Sequence, residues 1–384
     1  MLPYFILVLA PIIVFLLFYK NREMRGKYCL ATFFALLAAM LIFRSQSVGI
    51  DVPAYQFYFE KIDGLSWSEL LGSTHLETGY VILIKIFLIF SKNYQLFLGV
   101  MAVLALLPVF ILYIKESEDA FLTIAIFLIS AHFVLLFSGI RQSVAIGFAV
   151  PCYFFVKKKE WWNFIPTVFF AFMIHHSSII LALMYPLYHL KIRRTAAMII
   201  TAVLAAIFFF RAELLGIVLE FLPGRYKDLY SELTFTNDYG MLLLFVAFTA
   251  YSFFIPDEKR LLSTKNEQGK LLCAMRGFSR ELEGEDGSIE EISGLRNFLF
   301  LMMLVQLFAS VSTIAMRFNY YYMFFLPVLL PKVANACGKK KFKRDLASLS
   351  RVVMIVVFIT YFFYDAFFGA DVLQVFPYLP YWKG

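Results

Sequence analysis

The chain has 384 residues, of which 61% are hydrophobic, 19% aromatic and only 16% charged, against about 25% charged in ordinary soluble domains; its mean hydropathy is +0.76. The net charge of +8 could suggest nucleic acid, but the positive residues fall in runs between apolar stretches, KNREMRGK (20–27), KKKE (157–160), KIRR (191–194) and KKKFKR (339–344), which is the positive-inside pattern of a membrane protein touching anionic lipid. These figures argue against a nucleic-acid-binding module and against a separate soluble core, so residues 1–384 are expected to form a single integral membrane domain.

In chain order, apolar runs predict helices over about 3–19, 28–43, 79–91, 94–114, 119–137, 141–156, 161–175, 177–190, 195–211, 240–255, 297–315, 318–333 and 351–369, since a helix of ~20 apolar residues spans ~30 Å of hydrocarbon. The first run has its basic residues after it and no clear small-residue cleavage site, so it reads as a retained helix with its N-terminus outside. Lys20–Lys27 is then cytoplasmic, and the loop over 44–78 lies outside and carries short helices. Placing Lys157–Lys159 inside as well requires an even number of crossings between the two clusters, so one apolar run does not cross. The shortest, 79–91, has about 13 residues with Lys85 among them and is assigned as re-entrant from the outer side. The runs over 161–175 and 177–190 can also form a short broken pair dipping in from the cytoplasm. The expected architecture is all-α: a polytopic transmembrane helical bundle with about 12 membrane-crossing helices and one short re-entrant segment. A second outer loop covers 223–240, and a charged cytoplasmic loop covers 256–296, where ELEGEDGSIEEI reads as a solvated linker. Cys29, Cys152, Cys273 and Cys337 have no paired spacing, so no disulfide framework or zinc site is indicated.

On this topology Arg44, Asp51, Glu77, Arg141, His175 and Arg317 all fall at outer helix ends or in outer loops. An arginine within the bilayer costs about 2.5–3.5 kcal/mol on insertion scales, less when it snorkels. Three near one face ask for a compensating anion, and guanidinium forks match the oxygens of a lipid-linked diphosphate. Taken singly, each arginine is equally explained as a helix end reaching the interface. His132 on its apolar face and His176 beside His175 are better read as packed or hydrogen-bonded histidines. Asp51, after Gly49 and before Pro53, can be a plain turn former. The aromatics of RYKDLYSELTF and NYYYMFF suit an interfacial belt as well as a sugar platform.

The outer segments come in a fixed order: RSQSVGIDVPAYQFYF (44–59), HLETGY (75–80), IRQSVAIGFAVPCYFF (140–155), AFMIHHSSIILAL (171–183), RYKDLY (225–230) and AMRFNYYYMFFLPVLLP (315–331). In order and spacing they resemble the EpsG family of bacterial exopolysaccharide membrane proteins, which is grouped with Wzy-type polysaccharide polymerases. The resemblance rests on Gly49, Asp51 and Tyr55; Glu77 and Gly79; Ile140 to Gln142; His175 and Ser177; Tyr226 and Tyr230; and Arg317 with Tyr321. It covers roughly 25–335 and departs from the family pattern in the longer, more charged loop from Pro256 to Arg296.

The resemblance implies a multi-pass protein of the bacterial cytoplasmic membrane with its active face outside. It would transfer glycan linked to undecaprenyl diphosphate onto the non-reducing end of another lipid-linked repeat unit. Expulsion of a diphosphate builds negative charge on the leaving oxygens, while the incoming hydroxyl needs a base. Arg141, Arg317 and Arg44 suit the first task, and His175, Asp51 and Glu77 are candidates for the second. Gln142, Tyr55, Tyr226, Tyr230 and Tyr321 are the implied sugar contacts. A diphosphate leaves without protonation, so no paired carboxylic acid is required; no metal or cofactor is expected either, because the outer segments carry no DxD or His/carboxylate cluster. The implied partners are the lipid-linked oligosaccharide, the bilayer, a chain-length regulator and other export proteins; nucleic acid is not among them. Rival readings are a flippase or exporter of lipid-linked sugars, a membrane O-acyltransferase acting on polysaccharide, and a noncatalytic scaffold.

Overall fold

The computed structural model describes residues 1–21, 24–70, 74–211, 213, 214, 217, 240–256, 279–309, 313–337 and 341–383. Every regular element among them is a helix; the one isolated β-bridge pairs Arg44 with Pro380. The first ten are α1 (Leu2–Leu17), α2 (Arg25–Ile42), α3 (Val52–Asp63), α4 (Thr78–Phe90), α5 (Tyr94–Glu116), α6 (Ala120–Ile129), α7 (Ala131–Ser138), α8 (Ile140–Gly147), α9 (Ala149–Lys158) and α10 (Trp161–Ile174). A 3₁₀ turn over His176–Leu183 leads to α11 (Met184–His189), followed by α12 (Arg194–Phe209), α13 (Gly240–Phe254), α14 (Ser279–Ala309), α15 (Thr313–Met323), α16 (Leu326–Asn335) and α17 (Lys341–Phe368).

Among the described residues four helices are long and apolar enough to cross a membrane: α2, α5, Glu290–Phe308 within α14, and α17; a fifth span results if the bent pair α6–α7 counts as one. The protein is thus an all-helical, multi-pass chain, although these spans fall short of the dozen expected. Several apolar runs are broken into pieces. The run over 119–137 bends by 62° between α6 and α7, where the Ser130 hydroxyl donates to the Phe127 carbonyl at 2.7 Å. The run over 141–156 divides at Phe148, the one over 177–190 becomes the 3₁₀ turn and α11, and the one over 318–333 divides between α15 and α16. Hydropathy does not register such breaks, because polar backbone freed at a kink is satisfied by neighbouring groups rather than by charged side chains.

The chain forms two compact units. One comprises Met1–Ala182, Leu326–Val328 and Val352–Gly384; the other Leu183–Phe325 and Leu329–Arg351. In the first, α1 packs on α2, α2 on α5, and α5 on α8. Buried rings of Phe33, Phe34, Tyr113 and Phe127 fill the space among α2, α5 and α6, with Phe34 to Tyr113 at 5.7 Å and Phe34 to Phe127 at 5.5 Å. A Cβ on Gly147 would stand 3.0 Å from the Leu104 carbonyl oxygen, so a small residue there lets α8 lie close on α5.

The 13-residue α4 rises only about 20 Å at 1.5 Å per residue, short of the hydrocarbon core. Both of its ends are tied to the 44–65 segment: Tyr80 packs on Tyr55 with centroids 6.0 Å apart, and Phe87 on Phe59 at 6.0 Å. Further along, Lys85 Nζ donates to the Ile62 carbonyl at 3.2 Å and Lys92 pairs with Asp63 at 2.9 Å. Tyr94, at the start of α5, returns to the same place, donating to the Val52 carbonyl at 2.9 Å.

Beyond α17 the chain folds back on the segment over 43–50. The backbone N–H groups of Ser45, Gly49 and Ile50 donate to the carbonyls of Leu379 (2.7 Å), Gln374 (2.9 Å) and Leu373 (3.0 Å), and Tyr381 N–H donates to the Phe43 carbonyl at 2.8 Å. The Asp371 carboxylate shapes this tail by accepting from the N–H groups of Val375 (2.9 Å) and Phe376 (2.8 Å). The sequence reading assigned the tail no part.

Candidate functional site

In the first unit four of the expected residues meet around one carboxylate. Glu77, the residue before α4, pairs through Oε2 with Arg141 Nη1 and through Oε1 with His175 Nδ1 at 2.7 Å; Oε1 also accepts the His176 backbone N–H at 3.4 Å. Arg141 Nε in turn donates to the Tyr55 hydroxyl at 3.5 Å, with the guanidinium 5.5 Å from the Tyr55 ring centre.

The motif glycines explain how these side chains come together. Gly79 is the second residue of α4, and a Cβ there would lie 2.6 Å from the Met173 carbonyl oxygen. Only a glycine lets α4 start against the last turn of α10, and that contact brings Glu77 to His175, the residue that ends α10 in an extended conformation (φ −156°, ψ 119°). Gly49 has φ +104°, and a Cβ on it would stand 2.0 Å from the Phe137 carbonyl oxygen. Two residues on, the Asp51 carboxylate accepts the Ser138 hydroxyl at 3.0 Å, and Ser138 Oγ accepts the Asp51 N–H at 3.3 Å. The Gly-x-Asp segment therefore docks on residues 137 and 138, immediately before Gly139 ends α7 and α8 begins.

Arg141 is the second residue of α8. A cation there opposes the helix macrodipole at a cost of about 0.3–1 kcal/mol, which the Glu77 carboxylate offsets. Helix start and guanidinium together also make a place that favours a second anion. Glu77 is 7% exposed. Burial alone would raise its carboxyl pKa, but the His175 hydrogen bond and then the Arg141 charge outweigh it and hold the group at about 2. Burial keeps the Tyr55 phenol above the ordinary tyrosine range, against the pull of Arg141.

An ionised carboxylate only accepts, so the hydrogen on His175 Nδ1 points at Glu77, and Nε2 is the ring nitrogen left to take a proton whenever the ring carries one hydrogen. Among the described residues no protein group bonds to that nitrogen, and the side chain is 12% exposed. Asp51, by contrast, is exposed and, among the described residues, is held by the Ser138 side chain.

Other expected residues stand elsewhere. Arg44, expected to face a diphosphate, is 1% exposed; Nη1 donates to the Leu136 carbonyl at 3.2 Å while its own carbonyl accepts from Gln95 at 3.1 Å. It fastens the segment after α2 to α7 instead of presenting an edge to a ligand. Gln142 is buried, and Tyr321 is wholly buried within the second unit, so neither offers a face to a sugar. Arg317 is exposed on α15, also in the second unit. Tyr226 and Tyr230 lie outside the described residues, as does most of the loop over 223–240. His132 is fully buried with its ring 5.7 Å from Phe127, as a packed histidine would be. Sequence reasoning missed Ser138, although a serine beside Gly139 in an apolar run was the available signal. It also missed Asp371, which announced itself only as a turn former after the last apolar run.

The model of the EpsG family matches residues 27–381. That range takes in the tail folded on the segment over 43–50, beyond the stretch over which the ordered motifs run. No curated protein and no solved structure matches the chain.

Proposed function

The chain belongs to the EpsG family, and from that premise we propose that it is a membrane glycosyltransferase of the polysaccharide-polymerase kind. It transfers glycan from undecaprenyl diphosphate to the non-reducing end of another lipid-linked repeat unit at the outer face of a bacterial cytoplasmic membrane. The observation that supports this best is the Glu77 carboxylate shared by Arg141 and His175, because it sets a base beside a cation in one place.

In this reading the acceptor hydroxyl oxygen attacks the anomeric carbon and its proton passes to His175 Nε2. The bond from that carbon to the diphosphate oxygen breaks, and its electron pair leaves with the undecaprenyl diphosphate. Glu77 acts by keeping the Nδ1 hydrogen in place and by stabilising the imidazolium that forms, the part an orienting carboxylate plays in other base pairs. Its low basicity and two engaged oxygens make it a poor base itself. Arg141, at the start of α8, receives the charge that develops on the diphosphate. Asp51 holds or orients the acceptor, with Tyr55 beside it. Arg317, Tyr226 and Tyr230 enter the proposal on the resemblance alone.

The test is chain extension by the purified protein in bilayers supplied with a synthetic lipid-diphosphate-linked repeat unit. Products longer than one repeat are expected. Absence of transfer, together with loss of repeat-unit export in cells lacking the gene, would assign a flippase instead; polymer of normal length lacking acyl groups would assign an acyltransferase.

A further inference from the structure

In the second unit α12 and α13 both pack on α14, yet an open groove of about 670 Å³ runs between them, within the ~300–1,000 Å³ range of small-molecule sites. Its walls are Ala197, Thr201 and Ala205 of α12 and Val246 and Ala250 of α13, with Met303 of α14 as part of the lining. Positions 197, 201 and 205 recur every four residues, so they share one face of α12. The two hydroxyls along the groove are turned to their own helices: Thr201 donates to the Ala197 carbonyl at 2.8 Å and Thr249 to the Phe245 carbonyl at 2.8 Å. Little is left for a sugar to bond, and the wall suits hydrocarbon.

One charged residue lines the groove, Arg194, the first residue of α12. Its Nη2 donates to the Phe253 carbonyl at 2.8 Å, which holds the guanidinium at one mouth. Lys191 and Arg193, both exposed, precede it in the basic run. From Arg194 to Ala205 the helix rises about 16 Å, close to one leaflet of a ~30 Å core.

We propose that this groove binds one anionic phospholipid, with an acyl chain along Ala197, Thr201 and Ala205 and its phosphate at Arg194 with Lys191 and Arg193. Basic pockets between membrane helices on the cytoplasmic side recognise anionic headgroups in this way, and a bare apolar groove without Arg194 would not distinguish headgroups. The site is independent of the glycosyl transfer proposed above.

The full-length protein is placed in nanodiscs containing equal amounts of phosphatidylglycerol and phosphatidylethanolamine, extracted in mild detergent, and the retained lipid is counted by native mass spectrometry. Retention of phosphatidylglycerol over phosphatidylethanolamine by about fivefold or more is expected, the preference being lost in Arg194→Gln. Ala205→Phe, which fills the groove, should remove both lipids. Equal retention of the two lipids by the wild-type protein overturns the proposal without recourse to any variant. So does a preference unchanged in Arg194→Gln, or a dimer without lipid that crosslinks through Met198→Cys.

Discussion

Glu77 and His175, 98 positions apart, are joined by a 2.7 Å hydrogen bond from Nδ1 to Oε1, and Gly79 makes that approach possible by letting α4 touch the backbone of Met173. With Glu77 ionised the bond places the His175 hydrogen on Nδ1, and in the proposed reaction it gives the two residues different parts.

If Nε2 is the base, His175→Ala lowers turnover by about 10²-fold or more, while binding of the lipid diphosphate changes by less than about tenfold. Glu77→Gln keeps shape but loses the oriented ring, so it lowers turnover while leaving acceptor KM little changed. Single-turnover assays separate these effects. Normal extension in His175→Ala, with none in Asp51→Asn, would move the base to the outer loop.

Arg141→Ala leaves a buried carboxylate with one partner fewer and the diphosphate without its fork. Long polymer should vanish while the protein still inserts. Arg141→Lys should restore little, since an ammonium keeps the charge and loses the planar pair of donors. Polymer of near-normal length in Arg141→Ala would leave that arginine a structural role only.

Alanine is the better helix former by about 1 kcal/mol, so at Gly79 propensity and packing disagree. The contact with Met173 is through backbone at 2.6 Å and cannot yield by a rotamer change. Gly79→Ala is expected to destabilise by about 1–3 kcal/mol net and to reproduce the kinetic defect of Glu77→Gln. A raised melting temperature with full activity would show that α4 shifts freely.

The Glu77 carboxyl lies at about 2 in the fold against an ordinary 4.5. Its contribution to stability is therefore complete above about pH 4.5 and declines as pH falls towards 2. Thermal unfolding in detergent across that window should show a loss in the wild-type protein that is absent in Glu77→Gln. Parallel curves for the two proteins would mean that another group controls acid sensitivity.

Asp371 holds two backbone N–H groups of the tail, and hydrogen bonds to a charged group contribute about 1.5–3 kcal/mol. In Asp371→Ala the tail should loosen from the outer loop. Val48, 2% exposed beside Gly49, reports it: Val48→Cys in a background without other cysteines should resist an impermeant thiol reagent, and react once Asp371 is replaced. Chain extension should fall in step. Unchanged labelling would show that the loop stands without the tail.

The sequence by itself determined that this is an all-helical membrane chain, roughly where its helices begin and end, and which polar residues interrupt them. Apolar length and basic runs carry that information directly, because each is a local response to hydrocarbon or to water. Through the family resemblance it also singled out Gly49, Asp51, Tyr55, Glu77, Gly79, Arg141 and His175, together with Gln142, Ser177, Tyr226, Tyr230, Arg317 and Tyr321. Only the tertiary structure decided what each touches. Arg44 and Arg141 look alike in sequence, each an arginine at an apolar run, yet one is enclosed by Leu136 and the tail while the other meets Glu77. The bend at Ser130, the break at Phe148, the return of the tail to Ser45 and Gly49, and the place of Glu77 between a cation and an imidazole were not legible. Hydropathy measures avoidance of water, and a side chain facing lipid scores the same as one facing protein. Pairings across 98 positions depend on which helices touch, and that is settled by backbone approach at Gly49, Gly79 and Gly147.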